Sequence, residues 1–322
     1  MKTQKKIFIT GIAGFIGFHL ASFLSKRGDY VIGCDNFNDY YTPTLKNNRA
    51  NKLKTLGIEV INCDIQNIHL IHKQFEQETF THLVHLAAQA GVRYSLTHPQ
   101  VYSDSNLSGF LQILETCRHF PPLKLIFASS SSVYGGNIKI PFSETDETEN
   151  PVSLYAATKK SGELLAKSYH NLYQIPMTGL RFFTVYGPWG RPDMAYYSFT
   201  ERMLKDLPLP LFNQGKMKRD FTYIDDIIQG TAAAIDYCHG FEIYNLGNNH
   251  AEELMTLIHL LEENLGKKAK LDFQPMQQGD VVETFADITK AHKNLGFTPQ
   301  ISLAEGIPRF IEWFNTMQGA FI

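Results

Sequence analysis

Short apolar runs recur along the first half of the chain: Ile7-Phe8-Ile9, Tyr30-Val31-Ile32-Gly33-Cys34, Val60-Ile61-Asn62-Cys63, His82-Leu83-Val84-His85-Leu86 and Leu123-Lys124-Leu125-Ile126-Phe127-Ala128. Each is too short for a buried helix, and most are bounded by Gly, Asp, Asn or Ser, so each reads as a strand. Between them the apolar positions change to a helical period, most clearly over Phe15–Leu24 and Phe110–His119. A sixth strand is expected from Pro176 through Arg181 towards Pro188, and Pro151 marks the entry to a helix through residues 155 and 159. Further on, Pro210–Gly215 reads as a short strand and turn, a helix is expected from about Ile227 to Cys238, and a last amphipathic helix carries Trp313 as a core residue. Strands alternating with helices imply a parallel sheet covered on both faces.

The punctuation between the first strand and first helix narrows the fold. Thr10 opens directly into Gly11-Ile-Ala-Gly14-Phe15-Ile16-Gly17. Glycines there let backbone N–H groups and a helix N-terminus approach a pyrophosphate. The spacing is GxxGxxG rather than GxGxxG. The second strand ends in Asp35-Asn36, and Asp35 stands 24 residues beyond Gly11. A carboxylate in that place accepts hydrogen bonds from a ribose diol and repels a 2′-phosphate, which favours NAD over NADP. Asp64-Ile65 after the third strand would flank the adenine, Leu86-Ala87-Ala88 after the fourth would let a flat cofactor come close, and the polar segment Asn38–Lys54 would cover the adenine side. The fold expected is α/β, a Rossmann-type doubly wound parallel sheet with a smaller α/β substrate-binding lobe.

The fifth strand delivers Ser129-Ser130-Ser131-Ser132 to its carboxyl end, the edge where ligands lie in such sheets. Tyr155 and Lys159, four apart, share a helix face. A phenol has a reference pKa of about 10, and a fixed ammonium nearby favours its phenolate. Hydroxyls at the strand end could bond the alcohol that the phenolate deprotonates.

Composition adds exclusions. Lys+Arg 30 against Asp+Glu 32 gives a net charge of −2, and no basic run points to nucleic acid. No stretch reaches the roughly 18 apolar residues of a membrane span; the apolar N-terminal run is broken by its glycines. Cys34, Cys63, Cys117 and Cys238 are scattered without metal spacing, as reduced thiols of a cytoplasmic protein would be. His69, His72, His82, His85 and His119 show no metal-like pairing either, and His85 is expected in the core.

Together Gly11-x-x-Gly14-Phe-Ile-Gly17, Asp35-Asn36, Leu86-Ala-Ala88, Ser130, Tyr155-x-x-x-Lys159 and Arg181-Phe-Phe-Thr-Val-Tyr-Gly form one ordered set. The chain resembles the extended short-chain dehydrogenases/reductases of the nucleotide-sugar epimerase group over nearly its whole length. Asp35–Tyr41, Gln89–Ser95 and Gly187–Asp193 are most similar to the UDP-glucuronate 4-epimerases. The resemblance implies NAD-dependent inversion at C4 of a UDP-hexuronic acid through a 4-keto sugar, with UDP-glucose/UDP-galactose 4-epimerisation as the alternative, and a UDP-sugar decarboxylase or dehydratase behind it. In those last two an acid commonly stands where this chain has Ser131 and Ser132. Tyr155 would take the C4 hydroxyl proton, Lys159 would keep the phenolate ionised and bind the nicotinamide ribose, and Ser130 would bond the C4 oxygen. Ser131, Ser132 and Thr184 would face the carboxylate, with Arg93 or Arg191 supplying charge. Phe212, Arg219 and Asp280 would hold the UDP, Arg219 at the diphosphate and Asp280 at the uridine ribose, while Gln277 and Gln278 replace an arginine that relatives often carry. Residues 1–185, joined by about 221–247, would bind NAD, residues 186–322 would bind the UDP-sugar, and a homodimer would form through helices within 100–118 and 153–174.

Overall fold

The computed structural model describes residues 4–318. Seven strands form one parallel sheet: β1 (Lys6–Thr10), β2 (Tyr30–Asp35), β3 (Glu59–Asn62), β4 (His82–His85), β5 (Lys124–Ser130), β6 (Met177–Phe182) and β7 (Phe241–Leu246). Their order is β7-β6-β5-β4-β1-β2-β3, so the chain runs outward from β1 to β3 and then returns to build the other half. The sheet is doubly wound, as the alternation of runs predicts, and the reversal between β1 and β4 opens a crevice at their carboxyl ends. β4 and β6 are buried along their whole length, which is why they read as unbroken runs rather than alternating ones.

The helices that matter for the crevice are α1 (Phe15–Lys26), α2 (Pro43–Thr55), α3 (Phe110–His119), α4 (Leu154–Tyr173) and α5 (Ile224–Tyr237). α1 starts with Gly14 as its N-cap, directly after the glycine turn. α4 starts two residues past the expected entry region, at a Ser153 cap whose hydroxyl accepts from the Ala156 N–H at 3.1 Å. α3 has the expected bounds, and a widened turn of π type over Ser103–Gly109 precedes it. α5 begins earlier than the apolar period suggests, because Asp225 and Asp226 in its first turn suit the positive end of the helix.

Three features depart from the sequence expectation. The sixth strand does not continue to Pro188: it leaves the sheet at Phe183, and Thr184–Tyr186 pairs instead with Phe221–Tyr223. Phe241–Leu246 adds a seventh strand beside β6. The polar segment after Asn38 contains a helix, α2, whose inward face carries Lys46 and Arg49 among Leu45, Ala50 and Leu53.

Outside the sheet, Leu209–Leu211 pairs with Leu271–Phe273, and Lys218–Arg219 with Glu252–Glu253. Helices Ala195–Leu204, Leu254–Leu265 and Leu303–Gln318 pack around these pairs. One apolar cluster runs unbroken from Ile7 and Ile9 through Leu180, Tyr186 and Trp189 to Phe310 and Phe314. Trp313 packs on this cluster, its ring 5.4 Å from that of Trp189. Among the described residues no helix is long and apolar enough to cross a membrane.

Candidate active site

A cavity of about 890 Å³ lies over the carboxyl edge of the sheet. It begins at the glycine turn, where Gly11 has φ +72° and donates its N–H to the Cys34 carbonyl at 2.7 Å. A Cβ on Gly11 would lie 2.7 Å from the Ala87 nitrogen, and one on Gly17 only 2.1 Å from the Gly11 carbonyl oxygen. The turn is therefore packed main chain on main chain, with the start of α1 aimed into the cavity. Phe15 and Ile16 line it beside Gly14.

Asp35, buried at the end of β2, accepts from the N–H groups of Phe37 (2.9 Å) and Ala13 (3.2 Å). Burial raises its pKa, and these bonds with the Lys46 charge oppose the rise. Asn36 donates to the Asp64 carboxylate at 2.7 Å, joining the loops after β2 and β3, and Ile65, Leu86, Ala87 and Ala88 complete this end of the cavity. A carboxylate beside a glycine turn, with small residues opposite, fits a dinucleotide with free ribose hydroxyls.

At the centre, Ser130 caps a tight turn over Ser131–Tyr134, its oxygen accepting from the Ser132 N–H at 3.1 Å and its hydroxyl donating to Ser132 Oγ at 3.2 Å. Tyr155 enters from α4, and Lys159 one turn on donates its Nζ to the Ala128 carbonyl at 2.8 Å, 6.0 Å from the Tyr155 ring centre. Burial lowers the Lys159 pKa to about 8, opposed by Glu163. Burial raises the Tyr155 pKa, and Ser130 and Arg191 oppose the rise.

Ser131, Ser132, Thr184 and Arg191 line the cavity as well, with Arg191 in a two-pronged pair with Asp193 (3.0 and 2.5 Å). Tyr40 donates to the same carboxylate at 3.0 Å. The mouth holds Arg93, Phe212, Arg219 and Asp280. Arg93 pairs with Asp280 at 3.0 Å and lies over the Phe212 ring at 4.4 Å, while Arg219 donates to the carbonyls of Lys218 and Val282. Every residue singled out in the sequence as cofactor-binding, catalytic or substrate-binding lines this one cavity. Gln277 and Gln278 are not among its lining residues. Lys46, Tyr40 and Asp193 line it too and carry no role in the sequence reading. The repeat of tyrosines and the position of Asp193 two residues after Arg191 were the available signals.

Behind the site, Arg49 is fully buried and makes no ion pair among the described residues. It donates to the carbonyls of Trp189 (3.1 and 2.5 Å), Gly190 (3.1 Å) and Ala13 (3.1 Å) and to the Tyr41 hydroxyl (2.8 Å). It thus ties the glycine turn to the loop that carries Arg191. His19 of α1 adds a second tie, to the Pro188 carbonyl at 2.9 Å.

A doubly wound sheet, a glycine turn with its carboxylate, and a buried Ser–Tyr–Lys group at the sheet edge define a dinucleotide-dependent enzyme that moves protons and hydride at a carbinol. Residues 7–247 match the model of the NAD dependent epimerase/dehydratase family, and the chain belongs to that family. It is 46% identical to UDP-glucuronate 4-epimerase 4 of Arabidopsis thaliana over 326 residues, 96% of this chain and 75% of that one. Among solved structures it is similar to the UDP-glucuronic acid 4-epimerase of Bacillus cereus in complex with UDP-glucuronic acid and NAD, at 38% identity and a TM-score of 0.91, covering 97% and 99% of the two chains. The UDP-glucose 4-epimerase of Thermotoga maritima with UDP-glucose is similar at 31% identity and a TM-score of 0.87, over 97% and 99%.

Proposed function

We propose that the chain is a UDP-glucuronate 4-epimerase working through tightly held NAD. The observation that supports this reading is that Ser131, Ser132, Thr184 and Arg191 line the same cavity as Tyr155, with Arg191 near enough to act on its phenol. Three neutral hydroxyls can orient a carboxylate beside a guanidinium that Asp193 holds in place. NAD⁺ would supply the hydride acceptor and return the hydride each turnover. Tyr155 takes the C4 hydroxyl proton and gives it back on the opposite face. Ser130 bonds the C4 oxygen and Lys159 supplies positive charge on the cofactor side. Asp35 binds the adenosine ribose, and Arg219 with Arg93 and Asp280 holds the UDP while the 4-keto sugar turns over. A 4-keto uronate is a β-keto acid, so a carboxylate fixed by hydroxyl donors is protected from loss of CO₂.

In this reading residues 1–185 with about 221–247 bind the dinucleotide, and 186–220 with 248–322 bind the sugar nucleotide. Two copies pair through α3 and α4, where Leu111, Leu164, Leu172 and Tyr173 stand 38%, 60%, 67% and 46% exposed. The four cysteines are buried and unpaired, in keeping with work in the cytoplasm.

The deciding experiment is an NMR assay of purified protein with UDP-glucuronate and, separately, UDP-glucose, with no added NAD. UDP-galacturonate forming at constant mass is the expected result. Turnover of UDP-glucose alone would move the reading to a neutral-hexose epimerase, and a product lighter by CO₂ would overturn it in favour of a decarboxylase.

A further inference from the structure

Arg181 and Glu163 meet in the interior behind the Tyr155–Lys159 group. Arg181 lies on β6, in the Arg-Phe-Phe-Thr-Val-Tyr-Gly stretch, and Glu163 lies on α4 one turn past Lys159. Glu163 Oε1 accepts from Arg181 Nε at 2.8 Å and from the Ser129 hydroxyl at 2.6 Å, and Oε2 accepts from Arg181 Nη2 at 2.8 Å. Arg181 spends its remaining arm on the Tyr134 hydroxyl at 3.0 Å, which itself donates to Asn245 Oδ1 of β7 at 2.6 Å. Glu163 and Arg181 are 5% and 3% exposed.

Ser130 and Tyr155 come from different elements, β5 and α4, which Lys159 joins on the cavity side through the Ala128 carbonyl. Glu163 does so from behind: one oxygen grips the residue before Ser130, and the carboxylate rides on the helix that carries Tyr155 and Lys159. We propose that Glu163 is a positioning residue for the Ser130–Tyr155–Lys159 group, locking the end of β5 to α4 through Arg181 and supplying the negative charge that faces the Lys159 ammonium. The proposal rests on the reading of Tyr155 and Lys159 as the proton-transfer group.

The charges around Lys159 can be stated element by element. Its own helix brings Tyr155, Lys160 and Glu163, and Lys160 Nζ lies 3.6 Å from Glu163 Oε2. β4 brings His85, which burial holds neutral with a pKa of about 3, bonded through Nδ1 to the Thr10 hydroxyl at 2.8 Å. The turn before α3 brings the neutral Asn106, which lines the small space behind Lys159 with His85 and Thr158. β5 brings the Ala128 carbonyl. β6 brings Arg181, whose charge is spent on Glu163. Against the burial that lowers its pKa to about 8, Lys159 has Glu163.

The test is the Glu163→Gln variant, which keeps the shape and loses the charge. Two readouts are taken on the protein with its retained cofactor: the pH dependence of kcat for epimerisation, and the titration of Lys159 by NMR of ¹³Cε-lysine protein, assigned with Lys159→Met. The expected result is that the Lys159 titration and the alkaline limb of kcat both move to lower pH by about one unit or more, with KM little changed. An unmoved titration and limb in folded variant protein would overturn the proposal. Because a lone buried guanidinium is costly, the paired variant Glu163→Gln/Arg181→Met restores charge balance. If the pair folds and its limb stays low, the charge role stands; if its limb returns to the wild-type pH, the unpaired Arg181 guanidinium accounts for the shift in the single variant, and the charge role of Glu163 fails. A shifted Lys159 titration in protein that epimerises no UDP-sugar would retain the charge assignment and retire the functional reading instead.

Discussion

At Tyr155 burial raises the phenol pKa, while Ser130 and the Arg191 guanidinium lower it. The base of the proposed reaction is thus opposed in its rise by a strand-end hydroxyl and by a loop cation that Asp193 holds in place. Tyr155→Phe removes only the titrating oxygen, so kcat for the preferred UDP-sugar should fall by 10²–10⁴-fold or about that, while retained NAD, measured by its release on denaturation, stays at the wild-type level. Residual activity near wild type would assign the base elsewhere. Single residues that line the cavity were legible where several spacings fell in one order: Asp35 after a glycine turn, serines after an apolar strand, Tyr155 and Lys159 one turn apart. Pairings across the cavity were not, because Arg93 with Asp280 and Tyr40 with Asp193 are separated by more than 150 residues in the chain.

Among the elements, the glycine turn is tightly constrained. A Cβ at Gly17 would stand 2.1 Å from the Gly11 carbonyl oxygen, a main-chain atom that cannot rotate away. Gly17→Ala should therefore push α1 off the turn, giving protein with little bound NAD and a lowered Tm; a variant that purifies with full cofactor would refute this account of the turn. The same turn was readable from sequence because its glycines interrupt a strong apolar run. α2 was hidden for the opposite reason. Its buried face holds Lys46 and Arg49, and a pattern that seeks apolar residues at helical period sees only polarity there. The change of sheet past β6 was not readable because Phe182, Phe183 and Val185 are all buried, yet Phe182 and Val185 lie on two different sheets.

For the whole molecule, the alternation of strands and helices was enough to give a doubly wound parallel sheet, since βαβ connections leave few choices, though not its seventh strand beside β6. The remainder was less legible, because its two- and three-residue strands are held by partners far away in sequence. The exposed leucines of α3 and α4 belong to this scale as well. Leu164→Asp with Leu172→Asp should convert a dimer, measured by light scattering on a sizing column, to a monomer; a wild type that elutes as a monomer would remove the proposed interface. The Arg49 tie has a consequence for anyone redesigning the sugar end. Its guanidinium grasps the loop after Pro188 by main-chain carbonyls, at Trp189 and Gly190, and takes no notice of the side chains there. Loop sequence can then be exchanged to retune the sugar accepted, one side chain at a time, but insertions or deletions at this point would carry the carbonyls out of reach and disturb the dinucleotide turn on the far side of the same arginine.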